Sequence, residues 1–328
     1  MELGADEGEG NGAASAVRNL IRGSVHHFLN DGYTWSLYPL LPLIARDFGL
    51  SYAGSGAVKT VLNSLLSATS IPFGILAERT GELLVLTLGT TAFTVGIALM
   101  ALAPSFAIFL GITLAAGAGG GASHPVGSSL VSRTSPRGRI NSYIAMLNVS
   151  GDLGKAIIPA LAGLLAATFG WRVTFLVLGT CGAAVALYVG RSSLKPGSRR
   201  DRYRIDGTDE ASENRDGKKN DATRSGLLGI DNWARFGSLN AVGMIDSVAR
   251  SGAVVFLAFI LAEKGFSIGA TGAMLSLTAI GGAFGKFGCG PLGDRIGQRA
   301  AVIWTEILTA IFLVLVVSAG YYWMFPVV

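Results

Sequence analysis

Charged side chains are scarce in this chain: Asp, Glu, Lys and Arg make up 14% of its 328 residues, against 50% for apolar types. That shortage excludes an ordinary soluble domain, in which about a quarter of the residues are charged. Cysteine is nearly absent. Cys181 and Cys289 both fall in apolar runs without paired spacing, which excludes a disulfide scaffold and leaves them as small packing residues. The first twenty residues lack the basic start and apolar core of a cleaved secretory signal. The net charge of +5 is not spread over an aromatic-studded polar face, so nucleic acid is not a partner. No strand precedes the run Gly117-Ala-Gly-Gly-Gly121 and no Gly-Lys-Ser/Thr follows it, which excludes a phosphate loop. No enzyme motif, cofactor site or metal site is read from the sequence.

What the chain does have is apolar runs. Crossing the ~30 Å hydrocarbon layer takes about 20 apolar residues as helix. Nine segments qualify, with approximate limits 23–45, 54–77, 83–103, 105–131, 140–168, 171–190, 233–262, 268–292 and 299–320. The stretch 191–232 is polar and cannot bury enough apolar surface to fold alone, so it reads as a disordered linker. The expected organisation is a polar N-terminus (1–22), a six-helix bundle (23–190), the linker (191–232) and a partial second bundle (233–328). Lys and Arg are retained on the cytoplasmic side of membranes. With a cytoplasmic N-terminus, nineteen bases fall on that side, eleven of them between Arg191 and Arg235, and four fall opposite: Arg46, Lys59, Arg172 and Lys264. The expected location is therefore the cell membrane, multi-pass, with the N-terminus and linker cytoplasmic.

Two loops share the pattern Gly-x-Leu-small-acid-Arg-x-Gly. One is Gly74-Ile-Leu-Ala-Glu78-Arg79-Thr-Gly81 and the other Gly290-Pro-Leu-Gly-Asp294-Arg295-Ile-Gly297. Small residues let helices approach, the acid and arginine can pair or cap helix ends, and the last glycine permits a reversal. Their recurrence between apolar segments signals an internal repeat.

This paired motif resembles the signature loop of the major facilitator superfamily, found between helices 2 and 3 and again between helices 8 and 9. The first copy departs after its last glycine, where Glu82 and Leu83 replace basic residues. Two further stretches are similar to the fosmidomycin-resistance-type efflux subgroup: His27-Phe-Leu-Asn-Asp31 with the run Tyr38 to Ser51, and Gly117 to Pro125 followed by Gly151-Asp-Leu-Gly154. The resemblance implies an all-α bundle of two six-helix halves and a transporter gated at these loops, with drug efflux as the subgroup's activity. Twelve helices are expected of such a protein and nine are counted here. The missing three imply either a fragment or truncated product, or a separate polypeptide that supplies them.

Ionisable groups inside a bilayer cost roughly 2.5–3.5 kcal/mol each, so they face a cavity or a partner. Asp31 lies about 12 Å into the first segment at 1.5 Å per residue, with His27 one turn away on the same face. It reads as a protonatable coupling site with His27 as modulator, or as part of an Asn30-Asp31 pair that caps a kink or ties helix 1 to a neighbour. Asp152 and Lys155 share one helix face, as do Asp246 and Arg250. Each is either a self-neutralised structural pair or one that exchanges partners as a proton or anion arrives. The resemblance places Asp246 and Arg250 at the central cavity. His124, before Pro125, can line a cavity or satisfy a neighbour. Lys286 can attract an anion or neutralise Asp246 or Asp152. Trp35, Tyr38 and Trp171 read as interface or packing residues. The expected function is a secondary transporter that moves a small polar or anionic solute through the lipid bilayer by proton-coupled alternating access. The alternative is a non-transporting membrane protein, truncated or partner-dependent, built on the same bundle.

Overall fold

The computed structural model describes residues 5–136, 139–194, 233–296 and 298–318. The expected linker from 195 onward and Gly297 lie outside the described residues, as do the side chains of Asp246, Lys286, Asp294 and Arg295 and the surroundings of Gly290. Every regular element among the described residues is helical: α1 (Ala5–Phe48), α2 (Tyr52–Thr80), α3 (Glu82–Met100), α4 (Phe106–Gly120), α5 (Ser123–Thr134), α6 (Ile140–Gly190), α7 (Trp233–Glu263), α8 (Ile268–Ile296) and α9 (Gln298–Ser318), with a single 3-10 turn at Arg191–Ser193. Six described spans are long and apolar enough to cross a membrane: 52–80, 82–100, 106–134, 142–193, 268–285 and 300–318. The protein is therefore a multi-pass membrane protein.

The element borders follow local chemistry. Ser51 starts α2 by accepting the Gly54 N–H at 3.2 Å, and Ser105 starts α4 by accepting the Ile108 N–H at 3.4 Å, each satisfying an orphan donor of a first helical turn. Gly81 alone separates α2 from α3. Its φ of 98° is open to glycine and strained for other residues, which is what the closing glycine of the first loop motif supplies. One sequence expectation changes in form and one keeps it. The single segment expected at 105–131 is one span, 106–134, interrupted by a turn at 121–122 between α4 and α5, where Pro125 has no N–H to give the carbonyl four residues back. The segments expected at 140–168 and 171–190 are the two helical parts of α6, which part at Gly170, where φ 76° and ψ 167° lie outside the helical region.

Close helix crossings build the core. Gly32 of α1 faces Gly154 of α6, and a Cβ on Gly32 would sit 2.9 Å from the Gly154 carbonyl. The Gly117–Gly121 run wedges α4 between α2 and α3: a Cβ on Gly117 would meet the Leu62 carbonyl at 2.7 Å, and one on Gly119 the Phe93 nitrogen at 2.9 Å. The run is thus a packing surface. Tyr38 and Trp171 are buried in the largest core cluster, with Leu37, Leu41, Phe93 and Phe175. The elements after the linker dock through α6 and α8, where Gly163 meets Gly272 and Ser276 Oγ accepts the Ala160 N–H at 3.1 Å. At one end, Tyr52 of α2 donates to Glu263 of α7 and stacks edge-on against Phe259.

Candidate functional site

The α1–α6 crossing creates the site. Asp31 is on the α1 face turned to α6, 7% exposed, and Gly151 lies opposite; a Cβ there would come within 2.6 Å of Asp31 Oδ2 and strike the His27 ring. The missing side chain at 151 is the space in which the polar cluster sits. Into it Lys155 extends from the next turn of α6. Its Nζ lies 2.8 Å from Asp31 Oδ2 and 3.4 Å from Asp152 Oδ1, so one ammonium bridges two carboxylates and two helices. His27, one turn before Asp31, places Nε2 3.5 Å from Asp31 Oδ2. From α5, His124 brings Nε2 to 3.6 Å from Asp31 Oδ1, and the two imidazoles pack edge-on with centroids 4.9 Å apart.

Five of the eight expected coupling or substrate residues, His27, Asp31, His124, Asp152 and Lys155, thus form one cluster contributed by three helices. The cluster is buried on the α1 side, with His27 4% exposed, and open on the α5 side, where the His124 side chain is 68% exposed. Asn30 makes the tie between helices that one of the sequence readings expected, and Asp31 does not share its partners. Asn30 Nδ2 donates to Thr90 Oγ1 at 2.8 Å and to the His26 carbonyl at 3.1 Å, which ties α1 to α3, while Asp31 turns the other way to Lys155.

Of the remaining three expected residues, Arg250 is exposed on α7, and the Asp246 and Lys286 side chains lie outside the described residues. At the first loop motif, Gly74 lies on α2, Glu78 and Arg79 are exposed, and neither of the latter forms an ion pair with a described residue. The neighbouring departure residue Glu82 does: Arg133 Nε is 3.2 Å from its Oε1, and Ser129 donates to the same oxygen at 3.3 Å. Its place in the first turn of α3 also suits the positive end of the helix dipole.

Sequence reasoning missed two buried groups. Lys59, counted among the bases on the outer side, is 2% exposed; its Nζ donates to the Thr34 carbonyl at 2.9 Å and lies 4.3 Å from the Tyr38 ring centroid. The start of α2 at Tyr52 puts Lys59 two turns into the helix, which is the signal that could have found it. His26 is fully buried, with neither ring nitrogen hydrogen-bonded among the described residues. At the α1 end near Phe48, Arg172 Nη1 donates to the carbonyls of Ala101 (3.0 Å) and Ala103 (2.8 Å), and Trp171 Nε1 donates to Asp47 at 2.9 Å. The guanidinium therefore sits on free carbonyls past the end of α3.

Comparisons with known proteins agree with this architecture. The family model described as Major Facilitator Superfamily matches residues 24–229. The chain is 25% identical over 311 residues to "Multidrug resistance protein MdtG" of Serratia proteamaculans, covering 90% of this chain and 71% of that protein. It is 28% identical over 284 residues to a "Putative metabolite transport protein" of Haemophilus influenzae, covering 84% of this chain and 67% of that one. The solved structure of a bacterial homolog to the human lysosomal transporter Spinster, inward-facing and unoccupied, superposes with a TM-score of 0.67 at 18% identity, over 87% of this chain. The chain spans 64% of that structure's chain, just under two thirds of its length.

Proposed function

Because the chain belongs to the Major Facilitator Superfamily, we propose that it works as a secondary transporter, moving a small polar or anionic organic solute by alternating access coupled to protons. One observation carries the reading: a single buried carboxylate, Asp31, is shared by Lys155, His27 and His124 at the crossing of three helices. A charge held inside a bilayer protein is costly unless partnered, and a partner shared between helices is one that helix motion can exchange. Protonation of Asp31 releases Lys155. The ammonium, left with Asp152 alone, then draws in an anionic group of the solute through the side on which His124 is exposed. Re-ionisation of Asp31 recaptures Lys155 and expels the solute.

Alternating access needs faces that close in turn. On this reading Tyr52 and Glu263 close the face near Phe48, Glu82 with Arg133 steadies the opposite, cytoplasmic end beside the loop motif Gly74–Gly81, and the motif Gly290–Gly297 is assigned the matching role in the second unit. The bias of basic residues supports a cytoplasmic N-terminus and linker. The six-helix bundle at 23–190 and the second unit from 233 are the bodies that rock. Arg250, Asp246 and Lys286 are assigned to the solute path in the second unit. The relatives named for multidrug resistance and metabolite transport support an organic cargo.

The test uses the purified chain in proteoliposomes loaded with a pH-sensitive dye. Phosphonates, carboxylates and amphiphilic drugs are added one at a time. Solute-dependent proton movement in the wild type, absent in Asp31→Asn, is the expected result. Proton movement that no solute changes would remove the reading.

A further inference from the structure

The chain contains three histidines, His26, His27 and His124. Two of them, on separate helices and 97 positions apart in sequence, aim Nε2 at the same carboxylate. Balancing Asp31 does not require either of them, because Lys155 already lies 2.8 Å from Oδ2. Two imidazoles converging on a carboxylate that has its cation need carry no charge themselves, and a neutral imidazole offers a ring-nitrogen lone pair.

The donor spacing matches a metal polyhedron. Nitrogen and oxygen ligands about 2.0–2.2 Å from a tetrahedral Zn²⁺ stand roughly 3.3–3.6 Å from one another. His27 Nε2 lies 3.5 Å from Asp31 Oδ2 and His124 Nε2 3.6 Å from Asp31 Oδ1, and one donor atom from each of the three residues lies within 4.8 Å of the others. A small closure brings the three donors to that spacing, and His124 is the ligand with freedom to turn, being 68% exposed on its side chain while His27 is packed at 5%. Gly151 keeps the space beside His27 and Asp31 clear of a Cβ. The exposed flank of His124 leaves a fourth position open to water or to an oxygen donor.

We propose that His27, Asp31 and His124 form a binding site for one divalent transition-metal ion of Zn²⁺ type, in competition with the Lys155 ammonium for Asp31. Mixed imidazole and carboxylate donors suit Zn²⁺, Co²⁺ or Ni²⁺ and fit Mg²⁺ or Ca²⁺ poorly, since the latter take oxygen ligands. The ion and the Lys155 bridge exclude one another, so metal loading separates α1 from α6 at the point where they are cross-tied. The site does not depend on the identity of the transported solute, because binding itself is the readout.

Co²⁺ is the probe, titrated into the purified, tag-free full chain in detergent and followed by its visible d–d absorption, with Zn²⁺ then added as competitor. One Co²⁺ per chain, displaced by Zn²⁺, is expected. His124→Ala, at an exposed position, keeps the metal-free unfolding temperature and weakens binding at least about tenfold. His124→Cys restores binding and adds a thiolate-to-Co²⁺ charge-transfer band that a packing role would not produce. Lys155→Met, combined with His124 intact, tightens binding by removing the competitor. Absence of the bands in wild-type protein overturns the proposal, and so do bands that persist unchanged in His124→Ala.

Discussion

Lys155 Nζ lies 2.8 Å from Asp31 Oδ2 although 124 positions separate the two residues, and the same ammonium reaches Asp152 at 3.4 Å. The pair fastens α1 to α6 at a depth where neither charge can be left alone cheaply. Removing Lys155 strands Asp31, at a cost of about 3–5 kcal/mol, removing Asp31 costs less because Lys155 keeps Asp152, and replacing both by neutral residues of similar volume costs little. Lys155→Met and Asp31→Asn are therefore each destabilising, and the double variant is more stable than the Lys155→Met single. A double-mutant cycle on unfolding midpoints in detergent checks this. Additive effects would show that the bridge contributes nothing.

Gly151→Ala puts a methyl group against Asp31 and the His27 ring. Overpacking of this kind costs about 1–3 kcal/mol, and here it also pushes the carboxylate away from Lys155. Stability falls and solute-driven proton flux is lost together. Gly111→Ala on α4, where a Cβ meets nothing within 4 Å, is the control and leaves both unchanged.

Glu82 and Arg133 form a pair whose arginine is 59% exposed. Exposed pairs contribute about 0–1 kcal/mol, so Glu82→Gln shifts the unfolding midpoint little. If the pair steadies one end of the bundle during the cycle, the turnover rate changes severalfold while stability does not, and Glu78→Gln, at a residue without an ion-pair partner among those described, changes neither. Initial transport rates of the two variants separate these outcomes.

Tyr52 and Glu263 touch across the two helical units. In a background lacking Cys181 and Cys289, the pair Tyr52→Cys and Glu263→Cys cross-links on oxidation. Transport stops when the link forms and returns on reduction. A cross-linked protein that transports at the full rate would show that this face does not open.

Much of the fold could be read from run lengths and punctuation. Apolar segments of about 20 residues fixed where helices lie, and Gly81 marked the α2–α3 reversal because a positive φ there calls for glycine. The apolar segments already part at Gly170, where the backbone leaves the helical region, but the turn beside Pro125 was less visible, since an apolar run looks the same whether the helix within it is continuous or interrupted. The site was half legible. Spacings of four and three put His27 beside Asp31 and Asp152 beside Lys155, which is local helix geometry. Their union was not legible, because it depends on how closely α1 and α6 cross, and that distance is set by Gly32, Gly151 and Gly154 together. Lys59 escaped because a base near a segment end reads as exposed unless the helix start is known.

The central claim is that Asp31 couples solute movement to protons, and it is tested most directly by comparing exchange with accumulation. With a transported solute on both sides and no gradient, exchange needs only alternating access. Accumulation against a concentration gradient, driven by an imposed pH difference, needs the proton as well. The account predicts that Asp31→Asn in proteoliposomes still exchanges solute but no longer accumulates it. An Asp31→Asn protein that accumulates solute as the wild type does would contradict the account.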